Sequence, residues 1–202
     1  MQDYNITDQD GQLLVITARK IVTEFVNSGY RMPLDKNIES RLSFDAGIFV
    51  TLNLKNDLRG CIGFPLPRNL SQALPEAAIA AATEDPRFSP VSKAELDNIT
   101  FEVTILTPPK EIKVNHNSTL PEKIKVGRDG LIIKQGRYSG LLLPQVPVEY
   151  GWDEREFLDH TCQKAGLPAN CWMQEQTRVY SFEGIIFKEE KPNGKIVREI
   201  HN

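Results

Sequence analysis

The fold is decided by residues 47–64, GIFVTLNLKNDLRGCIGF. In 48–54, aliphatic residues alternate with other residues, and this period of two predicts a half-buried strand. The turn-forming residues 55–57, Lys-Asn-Asp, come next, and an extended segment resumes from Leu58 to Phe64. The stretch therefore predicts a β-hairpin.

Working outward, the same period of two recurs at 99–107 and 179–188, which we expect to be strands. A helical period predicts helices at 12–28 and 153–165. A further alanine-rich helix is predicted after Ser71, a residue type that favours helix starts. Strands and helices do not alternate as βαβ units. We therefore expect an α+β fold, with helices packed on a mainly antiparallel sheet.

The length of 202 residues fits one domain. Polar segments that contain proline, at 108–122 and 144–151, are candidates for seams between two lobes. We expect a single domain over 1–202, with a larger lobe formed by 1–110 plus 147–202 and a smaller lobe formed by 111–146.

The charge balance excludes one class of partner. The chain has 24 Lys and Arg against 27 Asp and Glu, a net charge of -3. It therefore lacks the global positive field that binds nucleic acid, and we expect no nucleic-acid partner. There is also no basic segment followed by an apolar leader, and no apolar run of about 18 residues. We expect no membrane partner and a cytoplasmic location.

The three cysteines, Cys61, Cys162 and Cys171, are an odd number in a chain of this length. They do not predict a disulfide framework, and a reducing compartment is the expectation. Cys162 is predicted to lie on the apolar face of its helix. His160 and Cys162, two positions apart on that helix, point in different directions, so we expect no metal site.

The segment 58–63, LRGCIG, is the most informative for chemistry. Alternation along a strand places Arg59 and Cys61 on one face, and a nearby guanidinium favours the thiolate. We therefore expect the pKa of Cys61 to lie below its ordinary value of about 8.5. Gly60 and Gly63 would let a ligand or another backbone approach closely. The alternative is a β-bulge with a buried, inert cysteine.

Three further charged residues could belong to the same site. Asp85 and Arg87 flank Pro86 in a predicted turn, where Arg87 could hold an anionic ligand that Asp85 orients. The alternative is an internal ion pair that fixes the loop. Glu102 lies in the middle of a predicted strand. If it is buried beside Arg59 or Arg87, it is a charge partner first and a general base second.

The order of several motifs is similar to that of a known family. LRGCIG at 58–63 is followed by DPRF at 85–88, FEVTIL, GRDGLII, GLLLPQV and WDEREFLDHTCQKAGL. With these motifs, the chain resembles the AMMECR family, named from the chromosomal region gene for Alport syndrome with midface hypoplasia and elliptocytosis. It departs from the family pattern at Phe64-Pro65, where a small residue is expected. The resemblance implies a two-lobed intracellular α+β domain, associated in prokaryotes with Memo-type and radical-SAM proteins.

Two functions fit these residues. The first is a binding or accessory module that presents a groove at LRGCIG to a Memo-type or radical-SAM protein, or to a small anionic ligand. The second is an enzyme for a small electrophilic or anionic substrate. Cys61 would then be nucleophile or ligand, Arg59 would stabilise thiolate or oxyanion, and Glu102 or Asp85 would move protons. We favour the first because no histidine base is placed near the cysteine. No cofactor is expected.

Overall fold

The computed structural model describes residues 6–199, and it has the predicted α+β architecture. Its helices are α1 (Asp8–Ser28), α2 (Lys36–Arg41), α3 (Leu70–Thr83), α4 (Gln145–Tyr150) and α5 (Glu154–Lys164). Its strands are β1 (Asp45–Leu54), β2 (Asp57–Asn69), β3 (Ile99–Leu106), β4 (Lys110–Glu111), β5 (Asp129–Gln135), β6 (Tyr138–Leu142), β7 (Arg178–Glu189) and β8 (Ile196–Glu199). The pairings β1–β2, β1–β3, β4–β7, β5–β6, β5–β7 and β7–β8 are all antiparallel. No helix in this part of the chain is long and apolar enough to cross a membrane.

The described chain divides into two compact units. The first comprises residues 6–106 and 185–199, and the second comprises 107–184. The expected smaller lobe, 111–146, lies inside the second unit, which continues to residue 184. It is larger than expected because α5 packs on β5 and β6, so the helix belongs with the hairpin that precedes it.

The core of the first unit lies between two helices and one face of a sheet. Alternation in β1 buries Ile48, Val50 and Leu52 completely. The matching face of β3 is buried in the same way, and α1 and α3 cover these side chains. Helix α1 begins at Asp8, before the predicted start at 12, because Thr7 and Asp10 form a capping box.

A buried ion pair joins the two ends of the first unit. Arg19 of α1 donates from Nε to Glu189 Oε1 at 2.6 Å and from Nη2 to the Ile99 carbonyl at 2.6 Å. Glu189, the last residue of β7, also accepts from the backbone N–H of Phe101 at 3.1 Å. The Arg19 guanidinium lies 4.5 Å from the centroid of the Phe101 ring. With these partners, both charges are compensated in the core.

The second unit has its own core beneath α5. Phe157, Leu158 and Cys162 face inward from this helix, as the helical period predicts, and pack against Leu131 and Ile133 of β5. Trp172 is also buried in this core, and its Nε1–H donates to Asp159 Oδ1 at 2.6 Å.

The expectation that the cysteines form no disulfide framework is wrong for one pair, because Cys162 and Cys171 form a disulfide. After α5 the chain turns back through Gly166, whose positive φ of 76° suits glycine. A 3₁₀-helix, Ala169–Met173, then brings Cys171 against the end of α5. Cys61 is the free cysteine of the described chain. The odd count of cysteines could not indicate this pairing, since it depends on the path of the return loop.

The disulfide should stabilise the second unit measurably. Replacing both Cys162 and Cys171 by Ala removes a cross-link across nine residues, and we expect a loss of about 2–3 kcal/mol in the free energy of unfolding. Denaturant unfolding with and without reductant would measure this loss. The double variant should be insensitive to reductant, whereas the control Cys61→Ala, which keeps the cross-link, should lose stability on reduction as wild type does. Alkylation of three thiols in unreduced, denatured protein would contradict the cross-link.

Candidate functional site

Residues 58–63 lie in β2, which is the terminal strand of the order β2-β1-β3-β7 in the first unit. Its register against β1 shifts at two points, and one of them lies in this segment: Leu52 faces Gly60, whereas Asn53 faces Leu58. Arg59 is therefore an extra residue, a β-bulge. The regular alternation that would set the Arg59 side chain beside Cys61 is interrupted there.

Arg59 is directed to the segment after α3 and not to the thiol. Its Nε donates to Glu95 Oε1 at 2.7 Å, and its Nη1 donates to the Ser89 carbonyl at 2.8 Å. Glu95 also accepts from the backbone N–H of Ser92 at 2.8 Å. The hydrogen bond from Arg59, above all, lowers the pKa of Glu95 to about 2. The expected role of Arg59 as a thiolate stabiliser is thus not supported by its contacts.

Asp85 is the buried centre of the turn that follows α3. Its carboxylate accepts from the backbone N–H of Cys61 at 2.9 Å and from Nη2 and Nε of Arg87 at 2.8 and 3.0 Å. The hydrogen bonds from the Arg87 side chain are the main reason that the pKa of Asp85 lies far below its ordinary range. This is the internal ion pair that was the alternative to an anion site. A carboxylate of such low pKa stays ionised at neutral pH and does not move protons.

Gly60 and Gly63 allow other parts of the protein's own backbone to approach closely. A Cβ on Gly60 would lie 2.1 Å from the carbonyl oxygen of Ala81 in α3. A Cβ on Gly63 would lie 2.2 Å from the carbonyl oxygen of Ile48 in β1. Of the two possibilities that the sequence left open, backbone packing accounts for both glycines without a ligand.

Three polar side chains form a row across the sheet, on the face opposite the buried core. Cys61 of β2 is opposite Thr51 of β1, and Thr51 is opposite Glu102 of β3. We call these three residues the outer row, and each is partly buried. The Thr51 hydroxyl donates to Cys61 Sγ at 3.2 Å. Cys61 and Glu102 are two strand spacings apart, about 10 Å. Thr51 was not singled out from the sequence, because only the strand register shows its position.

The pKa of the Cys61 thiol is raised, which is opposite to the expected direction. Burial raises it most, and the charges of Glu102 and Asp85 raise it further. The hydrogen bond from Thr51 and the positive charge of Arg87 lower it only in part. The thiol is therefore protonated at neutral pH and is not an activated nucleophile.

Glu102 lies beside neither Arg59 nor Arg87 as a charge partner. Burial raises its pKa most, and the charge of Glu199 adds to the rise, while Lys188 lowers it. Lys188 makes its ion pair with Glu199, at 2.8 Å. Within residues 6–199 the Glu102 carboxyl makes no hydrogen bond or ion pair. It is thus the polar group of the outer row that still has capacity for a ligand.

Phe88 lies beside two arginines of this region. The guanidinium carbons of Arg59 and Arg87 lie 5.9 and 5.5 Å from the centroid of the Phe88 ring. Both arginines thus contact the same turn residue through cation–π geometry. Among residues 6–199, no group of three or more His, Cys, Asp or Glu side chains is arranged to hold a metal ion.

The fold and this region define a class of α+β domain in which a bulged edge strand is fastened to the turn after an alanine-rich helix. The model of the family described as AMMECR1 matches residues 15–187, and the chain belongs to this family. A protein of Thermococcus onnurineus is 52% identical, over 97% of this chain and 98% of its own. Protein MJ0810 of Methanocaldococcus jannaschii is 49% identical, over 96% and 97%. The crystal structure of uncharacterized protein PH0010 from Pyrococcus horikoshii has a TM-score of 0.81 and 50% identity, over 98% of this chain and all of its own.

The reactivity of Cys61 tests the electrostatics of the outer row. We expect the pH midpoint of iodoacetamide labelling to lie above the ordinary thiol value of about 8.5, because burial disfavours the thiolate. Arg87→Met should raise the midpoint further, whereas Arg59→Met should leave it unchanged. Mass spectrometry of Cys61 over a pH series would measure this. A midpoint below the ordinary value, raised only by Arg59→Met, would restore the original expectation.

Acid should remove the stabilisation that Asp85 provides. Its folded-state pKa lies below the unfolded value of about 3.9, so the contribution is complete above that value and is lost as pH falls below it. At pH 7 we expect Asp85→Asn to cost about 1–3 kcal/mol in the free energy of unfolding, and the difference from wild type should shrink below pH 4. Urea unfolding at several pH values measures it, with the exposed neighbour Glu84→Gln as control. Equal effects of both substitutions would contradict the account.

Proposed function

We propose that the chain is a binding or accessory module whose outer row, Cys61, Thr51 and Glu102, contacts a partner. One observation carries the proposal: the charged groups around LRGCIG are satisfied by one another, whereas the Glu102 carboxyl has no bonded partner in the described chain. Charged groups that are already paired hold this part of the fold in place. A partly buried group with open hydrogen-bonding capacity can instead bond to a partner.

The alternative, an enzyme with Cys61 as nucleophile, receives less support from the same residues. Cysteine catalysis requires a thiolate or an adjacent base. Burial raises the pKa of Cys61, and the nearby carboxylate of Asp85 is held ionised in its pair with Arg87. The histidines of the described chain, His116 and His160, belong to the second unit and not to the unit that contains Cys61.

The chemistry of the outer row suggests what a partner must provide. Glu102 is a partly buried carboxyl with a raised pKa, so a hydrogen-bond donor placed against it would be favourable. The Thr51 hydroxyl oxygen and the Cys61 thiol continue the row, and they could accept and donate further hydrogen bonds to the same partner. The motifs that resemble the AMMECR family imply Memo-type and radical-SAM proteins, and we propose these as the partners to test first.

The proposal is tested by direct titration of the purified chain with a purified Memo-type protein and with a purified radical-SAM protein. We expect at least one to bind. Glu102→Gln should weaken binding about tenfold through the loss of a hydrogen bond to a carboxylate, and Thr51→Val somewhat less through the loss of a neutral hydrogen bond. Glu122→Gln is the matched control, because this glutamate is exposed in the second unit.

Several results would contradict the proposal. Binding that is identical in wild type, Glu102→Gln and Thr51→Val would place the contact elsewhere. The absence of binding to both proteins would remove them as partners. Turnover of a small electrophile by wild type but not by Cys61→Ser would favour the enzyme alternative.

A further inference from the structure

Three rings form a stack in the second unit, apart from the residues of the outer row. The Tyr150 and Trp152 rings have centroids 5.0 Å apart and planes 16° apart. The Trp152 and His160 rings follow at 3.8 Å and 15°. Tyr150 is thus at one end of the stack, Trp152 in the middle and His160 at the other end.

The local structure holds this stack in place. Helix α4 ends at Tyr150, and the next residue, Gly151, has a positive φ of 67° that reverses the chain. The backbone N–H of Trp152 then donates to the Pro147 carbonyl at 2.9 Å. Trp152 packs against the core of the second unit. His160 Nδ1 forms a hydrogen bond with Gln163 Oε1 at 2.9 Å. The outer ring therefore rests on two rings that are themselves fixed.

The end of the stack is open. Tyr150 is 69% exposed. Within residues 6–199 no guanidinium or ammonium group lies over the Tyr150 ring, although nine such contacts occur at other rings. A rigid, exposed aromatic ring of this kind is typical of a binding anchor.

The sequence around Tyr150 is mainly acidic. Residues 148–156, VEYGWDERE, contain four acidic residues and one basic residue. Asp153 and Glu156 are used in the capping box of α5, and the Arg155 guanidinium lies over Trp172 at 5.5 Å. Glu149 and Glu154 make no ion pair within the described chain. Two uncompensated carboxylates thus lie within four positions of Tyr150.

We propose that this surface, formed by Glu149, Tyr150, Trp152 and Glu154, binds an arginine-containing segment of a partner protein. A planar guanidinium can stack on the open Tyr150 ring and donate a pair of hydrogen bonds to a carboxylate at the same time. Charge complementarity selects a basic segment over an acidic or neutral one.

This surface can be tested independently of the proposed function, because it shares no residue with the outer row. The probe is an acetylated and amidated hexapeptide of alternating proline and arginine, titrated into the full chain by calorimetry. Its binding is compared with peptides in which citrulline, lysine or glutamate replaces arginine. Citrulline keeps the shape of arginine without its charge. We expect the arginine peptide to bind saturably. Relative to it, the citrulline peptide should bind about tenfold more weakly, the lysine peptide should also bind more weakly, and the glutamate peptide should not bind.

Substitutions locate the binding. Tyr150→Ala should weaken the arginine peptide about tenfold and Glu149→Gln about threefold. Tyr150→Phe should bind as wild type because it keeps the ring. Tyr30→Ala is the matched control, an exposed tyrosine of the first unit that is 57% exposed. Thermal unfolding of each variant confirms that the fold is intact.

The proposal is overturned if the arginine peptide does not bind saturably, if citrulline or lysine peptides bind equally well, or if Tyr150→Ala binds as wild type. Since Trp172 is buried and Trp152 is partly exposed, the indole N–H resonance of Trp152 gives a second readout. It should shift on addition of the arginine peptide, and an unchanged resonance would count equally against the site.

Discussion

The buried carboxylate of Asp85 bonds at once to the edge strand β2 and to the turn that follows α3. It accepts the backbone N–H of Cys61, which the neighbouring strand β1 does not use, and it accepts two side-chain hydrogen bonds from Arg87. A bare strand edge invites pairing with other chains, so a bond of this kind also protects the edge. Because the turn is fixed, the Ser89 carbonyl accepts a hydrogen bond from Arg59, and the Phe88 ring lies near the guanidinium groups of Arg59 and Arg87.

The function we propose follows from how completely these charges are used. Arg59 is bonded to Glu95, Asp85 is bonded to Arg87, and the glycines on either side of Cys61 are in close contact with neighbouring backbone. What remains available is the outer row, where a protonated thiol and a threonine hydroxyl lead to the carboxyl of Glu102. Such a set of groups can recognise a partner by hydrogen bonds, but it lacks the activated nucleophile that covalent catalysis requires.

The sequence predicted the elements well, because hydrophobic period is a local property. The strands at 48–54 and 99–107 and the inward face of α5 all follow from it. The partners of the charged residues were not predictable in the same way. Arg59 meets Glu95, 36 positions away, because a bulge interrupts the alternation. Thr51 and Glu102 are aligned with Cys61 by the register of three strands. Glu189 forms an ion pair with Arg19, which lies 170 positions away in the sequence. The Cys162–Cys171 disulfide likewise depends on the path of a loop. Hydrophobic period and residue spacing do not predict these contacts, because each contact depends on the path of the folded chain.

The most direct test of the central claim is the hydrogen exchange of the Cys61 backbone amide, measured by NMR at neutral pH. If the Asp85 carboxylate holds this edge N–H, exchange should be slowed by about a hundredfold or more relative to an unstructured peptide. Asp85→Ala should remove most of that protection while the amide of Val103, in the central strand β3, stays protected. Rapid exchange of the Cys61 amide in wild type, or protection that persists in Asp85→Ala, would contradict the account.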